Sequence, residues 1–285
     1  MINTAFLADQ TPFAESKIVI LPIPYEKTTS YIHGTALAPR AILHASREVE
    51  FYDEEADAEV FYKTGIHTLP QIPCNGKTEQ ILKRIESTAE KHIKKNKFLV
   101  SIGGEHTITY PLVKAHSKHF KNLSVLIIDA HADLRSEYQG SPFSHACAAY
   151  LIRNIANITL TGIRAYSEAE AQLIKRERIN TFPSFRIHRN RKWIDDVLHT
   201  LTENVYVSVD LDGIDPSLMP SVGTPVPGGL TWEEATNLLR RVSEKKLIVG
   251  MDFVELCPSK YLSYSDFTAA KLIYKAICYV FSGKK

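Results

Sequence analysis

Acidic and imidazole side chains recur at two-residue intervals in one segment of the chain. The segment DAHAD carries Asp129, His131 and Asp133 in this spacing, and Asp210 and Asp212 repeat it further along. In an extended backbone, residues i, i+2 and i+4 point to the same face, so each segment aims its polar groups at one place. Aspartates crowded together repel one another unless a cation neutralises them. The spacing therefore predicts a metal site.

The types of ligand indicate which metals this site would bind. Carboxylates and imidazoles bind Mn, Fe, Co, Ni or Zn, and the excess of hard oxygen donors favours Mn. The four negative charges of the four aspartates match two divalent ions, and a hydroxide shared by two ions is a nucleophile at neutral pH. We therefore predict two Mn²⁺ per subunit, with other divalent metals as alternatives. The structural alternative is that the D-x-D pair caps a turn or helix and that the histidine packs within the fold.

Two more polar groups follow apolar runs. The segment GGEHT at 103–107 brings His106 directly behind one run, and Glu255 lies four residues behind another. In open α/β sheets, ligands bind at the carboxyl ends of the strands, so we expect both residues near the aspartates. From the residues alone, however, a helix-capping or surface carboxylate is the preferred interpretation of Glu255.

Six short runs rich in Val, Ile and Leu supply the strands that would position these groups. Continuous apolar runs of this length are typical of strands buried on both faces. They lie at 18–22, 98–102, 124–128, 158–162, 205–209 and 247–251.

Segments with helical periodicity alternate with these runs. They lie at 77–95, Trp232–Lys245 and 266–281, and Ser167 with Glu170 forms a capping pattern that would open another helix. This alternation predicts an α/β fold with three α/β/α layers around a mainly parallel central sheet. We find no internal repeat or linker, so a single domain over the whole chain is predicted.

The segment 213–230 is the one long irregular stretch. Its scattered prolines and glycines disfavour regular structure. A structureless loop of this length is uncommon in a compact domain unless it is functional.

Composition excludes several classes of protein. The 285 residues include 34 Lys and Arg against 32 Asp and Glu, a balance that argues against nucleic-acid and membrane-surface partners. The four cysteines form no C-x-x-C motif, which indicates neither a zinc knuckle nor a disulfide framework. No basic leader or membrane-spanning apolar run is evident. We therefore predict a cytoplasmic protein without nucleic-acid or membrane partners.

Three segments together resemble the metal-binding signatures of the ureohydrolases. They are GGEHT, DAHAD and SVDLDGIDP, in that order. The segments 24–31, 34–35 and 39–41 also resemble the N-terminal part of this family, so the resemblance covers nearly the whole chain. The family includes arginase, agmatinase, formiminoglutamase, guanidinobutyrase and proclavaminate amidinohydrolase. The resemblance implies an arginase-like fold.

The resemblance also implies a role for each site residue. One metal would be held by His106, Asp129, Asp133 and Asp210, and the other by Asp129, His131, Asp210 and Asp212, so that Asp129 and Asp210 bridge. Glu255 would bind the guanidinium of the substrate, a planar cation that pairs well with a carboxylate. His145 would be a catalytic proton shuttle, since the leaving amine needs a proton. Without the resemblance, His145 is an ordinary loop histidine.

The segment that follows DAHAD bears on the substrate. It reads LRSEYQGSPFSHACA and resembles the agmatinase version, and it lacks the Ser- and Asn-rich stretch of arginases. We predict hydrolysis of agmatine to putrescine and urea in polyamine biosynthesis. The alternatives are N1-aminopropylagmatine, which gives spermidine, and the substrates of guanidinobutyrase, arginase or formiminoglutamase. Tyr138 is a candidate for substrate binding at the distal ammonium, or else a solvated loop residue.

Two other classes of function remain open. A different dimetal hydrolase, such as a phosphoesterase, would need cationic groups or helix N-termini aimed at phosphate. A metal-binding scaffold would need no turnover. The resemblance implies a homo-oligomer, a trimer or hexamer, in which Phe51, Tyr52 and Phe61 would serve contacts if they were exposed.

Overall fold

A computed structural model of the chain describes residues 5–282, and the strands in that part bring the chemistry-bearing segments to one edge. The strands are β1 (Ile18–Ile23), β2 (Tyr52–Asp53), β3 (Ala58–Glu59), β4 (Ile66–Thr68), β5 (Phe98–Gly103), β6 (Leu123–Ile128), β7 (Asn157–Ile163), β8 (Asn180–Pro183), β9 (Asn204–Asp210) and β10 (Leu247–Val254). Eight of them form one sheet in the order β4-β1-β5-β10-β9-β6-β7-β8, and every neighbouring pair is parallel. Strands β2 and β3 form a separate antiparallel pair.

Helices fill the connections between the parallel strands. The α-helices are α1 (Ala38–Ala45), α2 (Val60–Thr64), α3 (Thr78–Ile93), α4 (Thr109–Ser117), α5 (Ala148–Ile152), α6 (Glu168–Glu177), α7 (Ser184–Ile187), α8 (Trp193–Thr200), α9 (Trp232–Lys245) and α10 (Tyr264–Phe281). Short 3₁₀ helices lie at Phe6–Ala8, Thr35–Leu37, Ser46–Glu48, His106–Ile108, His145–Cys147 and Leu211–Gly213. Across the described residues, no helix combines the length and apolar character that crossing a lipid bilayer requires.

Two apolar cores cover the two faces of the sheet. Ile18 and Ile20 of β1 point into the core formed with α1, α8, α9 and α10. Val19 and Leu21 point into the opposite core, formed with α3, α4 and α5. Because alternate strand residues point to opposite faces, a continuous apolar run fills both cores. Each fully buried aliphatic side chain contributes roughly 1.5–3 kcal/mol.

The predicted class of fold is confirmed in its layers and in its parallel sheet. All six predicted strands are present, and the predicted capping pattern closes as a complete capping box between Ser167 and Glu170 at the start of α6. The sequence did not predict the edge strands β4 and β8 or the short helices. Phe61 is only 3% exposed, which contradicts its suggested role in an oligomer contact. The segment 213–230 is irregular apart from Gly213, which ends a 3₁₀ helix, and two single bridges, one between Ile214 and Leu230 and one from Val222 to Leu256.

One buried carboxyl group in the first turn of α10 is expected to make stability depend on pH. Asp266 is half-buried, and its Oδ1 atom has no hydrogen-bond partner. Burial raises the pKa of Asp266 from 3.8 to about 6, and His44 opposes the shift only in part. As the pH rises from about 4 to 6, Asp266 therefore ionises in the unfolded chain before it ionises in the folded one. Stability falls across this interval and stays lower above it.

Asp266→Asn is therefore expected to stabilise the protein at pH 8 and to change stability little at pH 4. The whole shift would correspond to about 3 kcal/mol. Because half of the side chain is screened by solvent, we expect a gain of about 1 kcal/mol. Urea-induced unfolding at both pH values measures it, with Asp9→Asn on the exposed surface as the control. An equal effect of Asp266→Asn at the two pH values would contradict the assignment.

Candidate active site

Four adjacent strands at the centre of the sheet end at the candidate site. The order of these strands is β5-β10-β9-β6, and all run parallel. His106 follows β5, Asp129 follows β6, Asp210 ends β9 and Glu255 follows β10. The parallel sheet thus brings together residues that lie far apart in the sequence.

One cluster of metal-binding atoms is centred on His106. Donor atoms of His106, Asp129 and Asp210 all lie within 4.8 Å of one another. The Nδ1 atom of His106 lies 3.2 Å from Asp129 Oδ2, 3.0 Å from Asp133 Oδ2 and 3.5 Å from Asp210 Oδ2. All four side chains are buried, so the carboxylates face one imidazole nitrogen with little exposure to solvent.

A second cluster shares Asp129 with the first. Donor atoms of Asp129, His131 and Asp212 also lie within 4.8 Å of one another. The Nδ1 atom of His131 is 2.9 Å from Asp212 Oδ2 and 3.7 Å from Asp129 Oδ1. Backbone amides hold these carboxylates in place: Ala130 N donates to Asp212 Oδ1, and Asp212 N donates to Asp210 Oδ1. The structure thus gathers all six predicted ligands at one place. Asp133, predicted for the first metal, lies outside the first group of donor atoms, and Asp210, predicted for both metals, lies outside the second group.

The donor set fits a pair of divalent cations. The Oδ2 atom of Asp129 is buried and accepts no hydrogen bond, which leaves a lone pair for a metal. Burial, followed by the charges of Asp212 and Asp129, raises the pKa of Asp210 well above its ordinary value. This crowding of carboxylates is what divalent cations would relieve.

The charges of the two clusters also shift the pKa values of His131 and Asp129. Despite burial, the neighbouring carboxylates of Asp129 and Asp212 raise the pKa of His131 to about 12. Although burial opposes it, His106 and His131 hold the pKa of Asp129 below its ordinary value. A metal must displace the imidazole protons, so binding at this site would release protons.

Glu255 directly follows β10 and has a strained backbone conformation. Its φ is 66°, in the left-handed region that non-glycine residues rarely adopt, and Asp133 has a φ of 49°. Glu255 Oε1 accepts from the backbone N of His106 at 2.6 Å, and Glu255 N donates to Gly104 O at 2.8 Å. Burial and the charge of Glu105 raise the pKa of Glu255 well above its ordinary value. A cationic ligand would stabilise this buried carboxylate.

His145 and Tyr138 lie on the wall of the site, beside one another. The two rings meet edge to face, with centroids 5.8 Å apart. The guanidinium carbon of Arg135 lies 5.2 Å from the centroid of the Tyr138 ring. Tyr138 therefore lies near the site, although one face of its ring already contacts a cation of the protein.

Two cavities that share several lining residues open onto this part of the structure. A narrow cavity of about 30 Å³ lies between Glu255, His145 and the ligand clusters. A wider cavity of about 350 Å³ shares His131, Asp133 and His145 with it and continues past Tyr138. The narrow cavity is lined by several of the candidate ligands and Glu255, whereas the wider one extends from them along Tyr138 and Glu170.

Sequence reasoning missed several residues that support the site. Arg164 follows β7, and its guanidinium donates to the backbone oxygens of Asp212 and Val226, which fixes the irregular segment beside the second cluster. His106 Nε2 contacts Ser208 Oγ at 3.1 Å, and Ser208 Oγ donates to Asp252 Oδ1 at 2.6 Å. The signals that could have revealed them were a hydroxyl residue within a buried apolar run for Ser208 and a charged residue just after one for Arg164.

The comparison with protein families decides the family. A sequence model of the Arginase family matches residues 16–279. The chain belongs to the arginase family. An N(1)-aminopropylagmatine ureohydrolase of Thermus thermophilus is 42% identical to this arginase-family chain over 278 residues, 97% of this chain and 94% of the relative. An agmatinase of Pyrococcus horikoshii is 31% identical over 269 residues, 92% of each chain.

A solved structure supports the same conclusion. The crystal structure of agmatine ureohydrolase of Thermoplasma volcanium matches this arginase-family chain with a TM-score of 0.87 at 32% identity, over 95% of this chain and 92% of that one. The predicted family, the arginase-like fold and the class of hydrolase acting on amidine C–N bonds are thereby confirmed. The roles of the individual site residues stay predictions.

Proposed function

We propose that this protein hydrolyses the guanidinium group of N(1)-aminopropylagmatine to spermidine and urea, with agmatine as the second candidate substrate. The observation that carries the proposal is the convergence of Glu255, His145 and both metal-binding clusters on one narrow cavity. The 42% identity to a relative named for the longer substrate supports this choice. The 31% identity to an agmatinase and the sequence after Asp133 support the shorter substrate.

Glu255 binds the guanidinium in this proposal. A carboxylate pairs with a guanidinium through charge-assisted hydrogen bonds, and Glu255 is held in place through its contact with His106 N. The buried carboxylate of Glu255 forms no ion pair with a side chain of the described residues, and the guanidinium would supply the missing positive charge. Binding and orientation of the reacting group therefore follow from the same contact.

The six ligands hold the metals in this proposal, and we assign Mn²⁺ to both positions. The ligands would be His106, Asp129, Asp133 and Asp210 for one ion and Asp129, His131, Asp210 and Asp212 for the other. When bound, two such ions supply Lewis acidity and bring the pKa of a bound water close to neutrality. Oxygen-rich donor sets favour Mn²⁺ among the transition metals.

His145 transfers a proton that the departing amine requires. Attack of water on the guanidinium carbon and loss of the amine give urea and an alkylammonium. Both protons of the attacking water must therefore reach the leaving nitrogen, and His145 delivers one of them. His145 lines both cavities, which supports this role. The tail of the substrate would then follow the wider cavity past Tyr138.

We also propose that residues 1–285 form one domain and that the protein is a cytoplasmic homo-oligomer of three or six subunits. Strands from near both ends of the chain share one sheet, which supports a single domain. Several aromatic side chains are highly exposed, including Tyr261 at 92% and Tyr31 at 72%. Exposed apolar rings of this kind favour contacts between subunits.

A panel of urea-release assays tests the proposed substrate. Mn²⁺-loaded protein is given N(1)-aminopropylagmatine, agmatine, guanidinobutyrate and arginine, and formamide release from formiminoglutamate is followed in parallel. We expect the highest kcat/KM for N(1)-aminopropylagmatine, about tenfold or more above agmatine, because the extra propylamine has a cavity to fill. Treatment with chelator should remove the activity, and Mn²⁺ should restore it.

Other outcomes of the panel favour other functions. A higher kcat/KM for agmatine would move the assignment to the second candidate. Release of phosphate from esters, without urea from any guanidino compound, would identify a different dimetal hydrolase. Metal binding without any turnover would favour a scaffold.

A further inference from the structure

We propose that Thr28 and Glu105 are positioning residues that hold the imidazole of His145 in the tautomer with its proton on Nδ1. The Nε2 atom is then the one that exchanges protons with the substrate. This inference rests on the proposed role of His145 in proton transfer. None of the three residues is a predicted metal ligand.

Glu105 is the buried anchor of this arrangement. Its side chain is 0% exposed. Its Oε2 accepts from the backbone N of Lys27 and of Thr28, both at 2.7 Å. Its Oε1 accepts from the hydroxyls of Thr28 and Thr107, also at 2.7 Å. The only hydroxyl proton of Thr28 is therefore committed to a buried carboxylate.

The hydroxyl of Thr28 can then only accept hydrogen bonds from His145. The backbone N of His145 donates to Thr28 Oγ1 at 3.0 Å, and the Nδ1 atom of His145 lies 3.2 Å from the same oxygen. A nitrogen that faces an acceptor must carry the proton. Ser144 Oγ also approaches Nδ1, but at the longer distance of 3.4 Å. The nearest partner of Nδ1 thus selects the Nδ1–H tautomer.

The backbone around Glu105 fixes the segment that carries Thr28. Glu105 N donates to Tyr25 O at 2.9 Å, and Gly104 N donates to Ile23 O at 3.0 Å. A Cβ atom on Gly104 would lie 2.0 Å from Tyr25 O, so only glycine permits this approach. The segment that places His106 in the first cluster therefore also places Thr28 against His145.

The selected tautomer suits both directions of proton transfer. With Nδ1–H bound to Thr28, the neutral ring keeps a lone pair on Nε2, and the protonated ring has its transferable proton there. A ring free to adopt the other tautomer would spend part of its time with Nε2 already protonated and Nδ1 facing the threonine. Glu105 acts on His145 through Thr28, so both are positioning residues in this proposal.

Nitrogen NMR of the ring measures the tautomer directly. The full chain is labelled with ¹⁵N-histidine and loaded with diamagnetic Zn²⁺, and the His145 signals are assigned by their loss in His145→Ala. At pH 8, we expect a protonated Nδ1 and an unprotonated Nε2 in the native protein and in Thr28→Ser. In Thr28→Val, which is nearly isosteric but lacks the hydroxyl, we expect a mixture of tautomers.

Kinetics of the same Mn²⁺-loaded variants test the consequence. Thr28→Val should reduce kcat by roughly 10- to 100-fold, a part of what general acid–base catalysis contributes, with KM little changed. Thr28→Ser should restore most of kcat. In a His145→Ala background, Thr28→Val should cause no further loss, because the residue through which it acts is gone.

Thr107→Val is the matched control for the NMR measurement. It removes a hydroxyl from the same Glu105 oxygen but does not touch His145, so the ring signals should stay those of the native protein. A native tautomer in Thr28→Val, or an equal loss of kcat in the His145→Ala background, would overturn the inference. If no guanidino compound yields urea, the proposed function fails, whereas the NMR result still decides whether Thr28 selects the tautomer.

Discussion

Asp129→Asn is expected to reduce urea release by about 10³-fold or more and to leave the fold intact. Asp129 is the one residue shared by the two clusters of donor atoms, and its buried Oδ2 faces His106 Nδ1 at 3.2 Å without accepting a hydrogen bond. The amide of asparagine offers a metal one neutral oxygen atom, whereas the carboxylate offers two oxygen atoms that share a negative charge. The stabilisation of developing charge by bound metals amounts to several kcal/mol, and each 1.36 kcal/mol is about a factor of ten in rate.

The measurement combines kinetics with the metal content of the purified variant. Steady-state urea release gives kcat, elemental analysis gives the number of bound ions, and circular dichroism reports the fold. Asp57→Asn is the matched control, because it makes the same chemical change on the exposed surface at a position whose φ of 49° asparagine also tolerates. If Asp129→Asn kept full activity and two ions, the role of Asp129 as the shared ligand would be wrong.

The sequence predicted the location of the site because its groups lie within a few residues of buried strands. Asp129, His131 and Asp133 follow one apolar run directly, and Asp210 ends another. In a parallel sheet the carboxyl ends share an edge, so the position of each run fixes the position of the groups that follow it. No information about distant contacts was required for these residues.

Contacts between distant parts of the chain could not be predicted in this way. Thr28 and His145 are 117 positions apart, and neither carries a local pattern that pairs them. Glu255 was expected four residues beyond its strand, whereas β10 continues to Val254 and places Glu255 directly at the strand end. The left-handed backbone of Glu255 turns the chain there, and no feature of the residue type predicts this conformation.

The edge strands β4 and β8 could not be predicted from the sequence for a different reason. Strand β4 has three residues, and only its first is buried, so it lacks the continuous apolar run by which the central strands were found. Strand β8 is partly exposed along most of its length and ends in a proline. Edge strands pack on fewer neighbours, so their composition carries less of the apolar signal.

Glu255→Gln is expected to weaken binding and turnover of the guanidinium substrate strongly while sparing the protein's stability. Glutamine keeps the shape of the side chain and an oxygen that can still accept from His106 N, but it loses the charge that faces the substrate cation. Breaking one side of a buried charge pair costs about 2–5 kcal/mol, so kcat/KM should fall by roughly 30- to 4,000-fold.

Steady-state kinetics with N(1)-aminopropylagmatine and agmatine measure the loss, and thermal unfolding of the Mn²⁺-loaded variant reports stability. Glu233→Gln, which removes an exposed carboxylate from the first turn of α9, is the matched control and should keep native kinetics. The fall should be the same for both substrates, because they share the guanidinium and differ only in the tail. A loss confined to the longer substrate would place Glu255 at the tail, and an unchanged kcat and KM would remove it from substrate binding altogether.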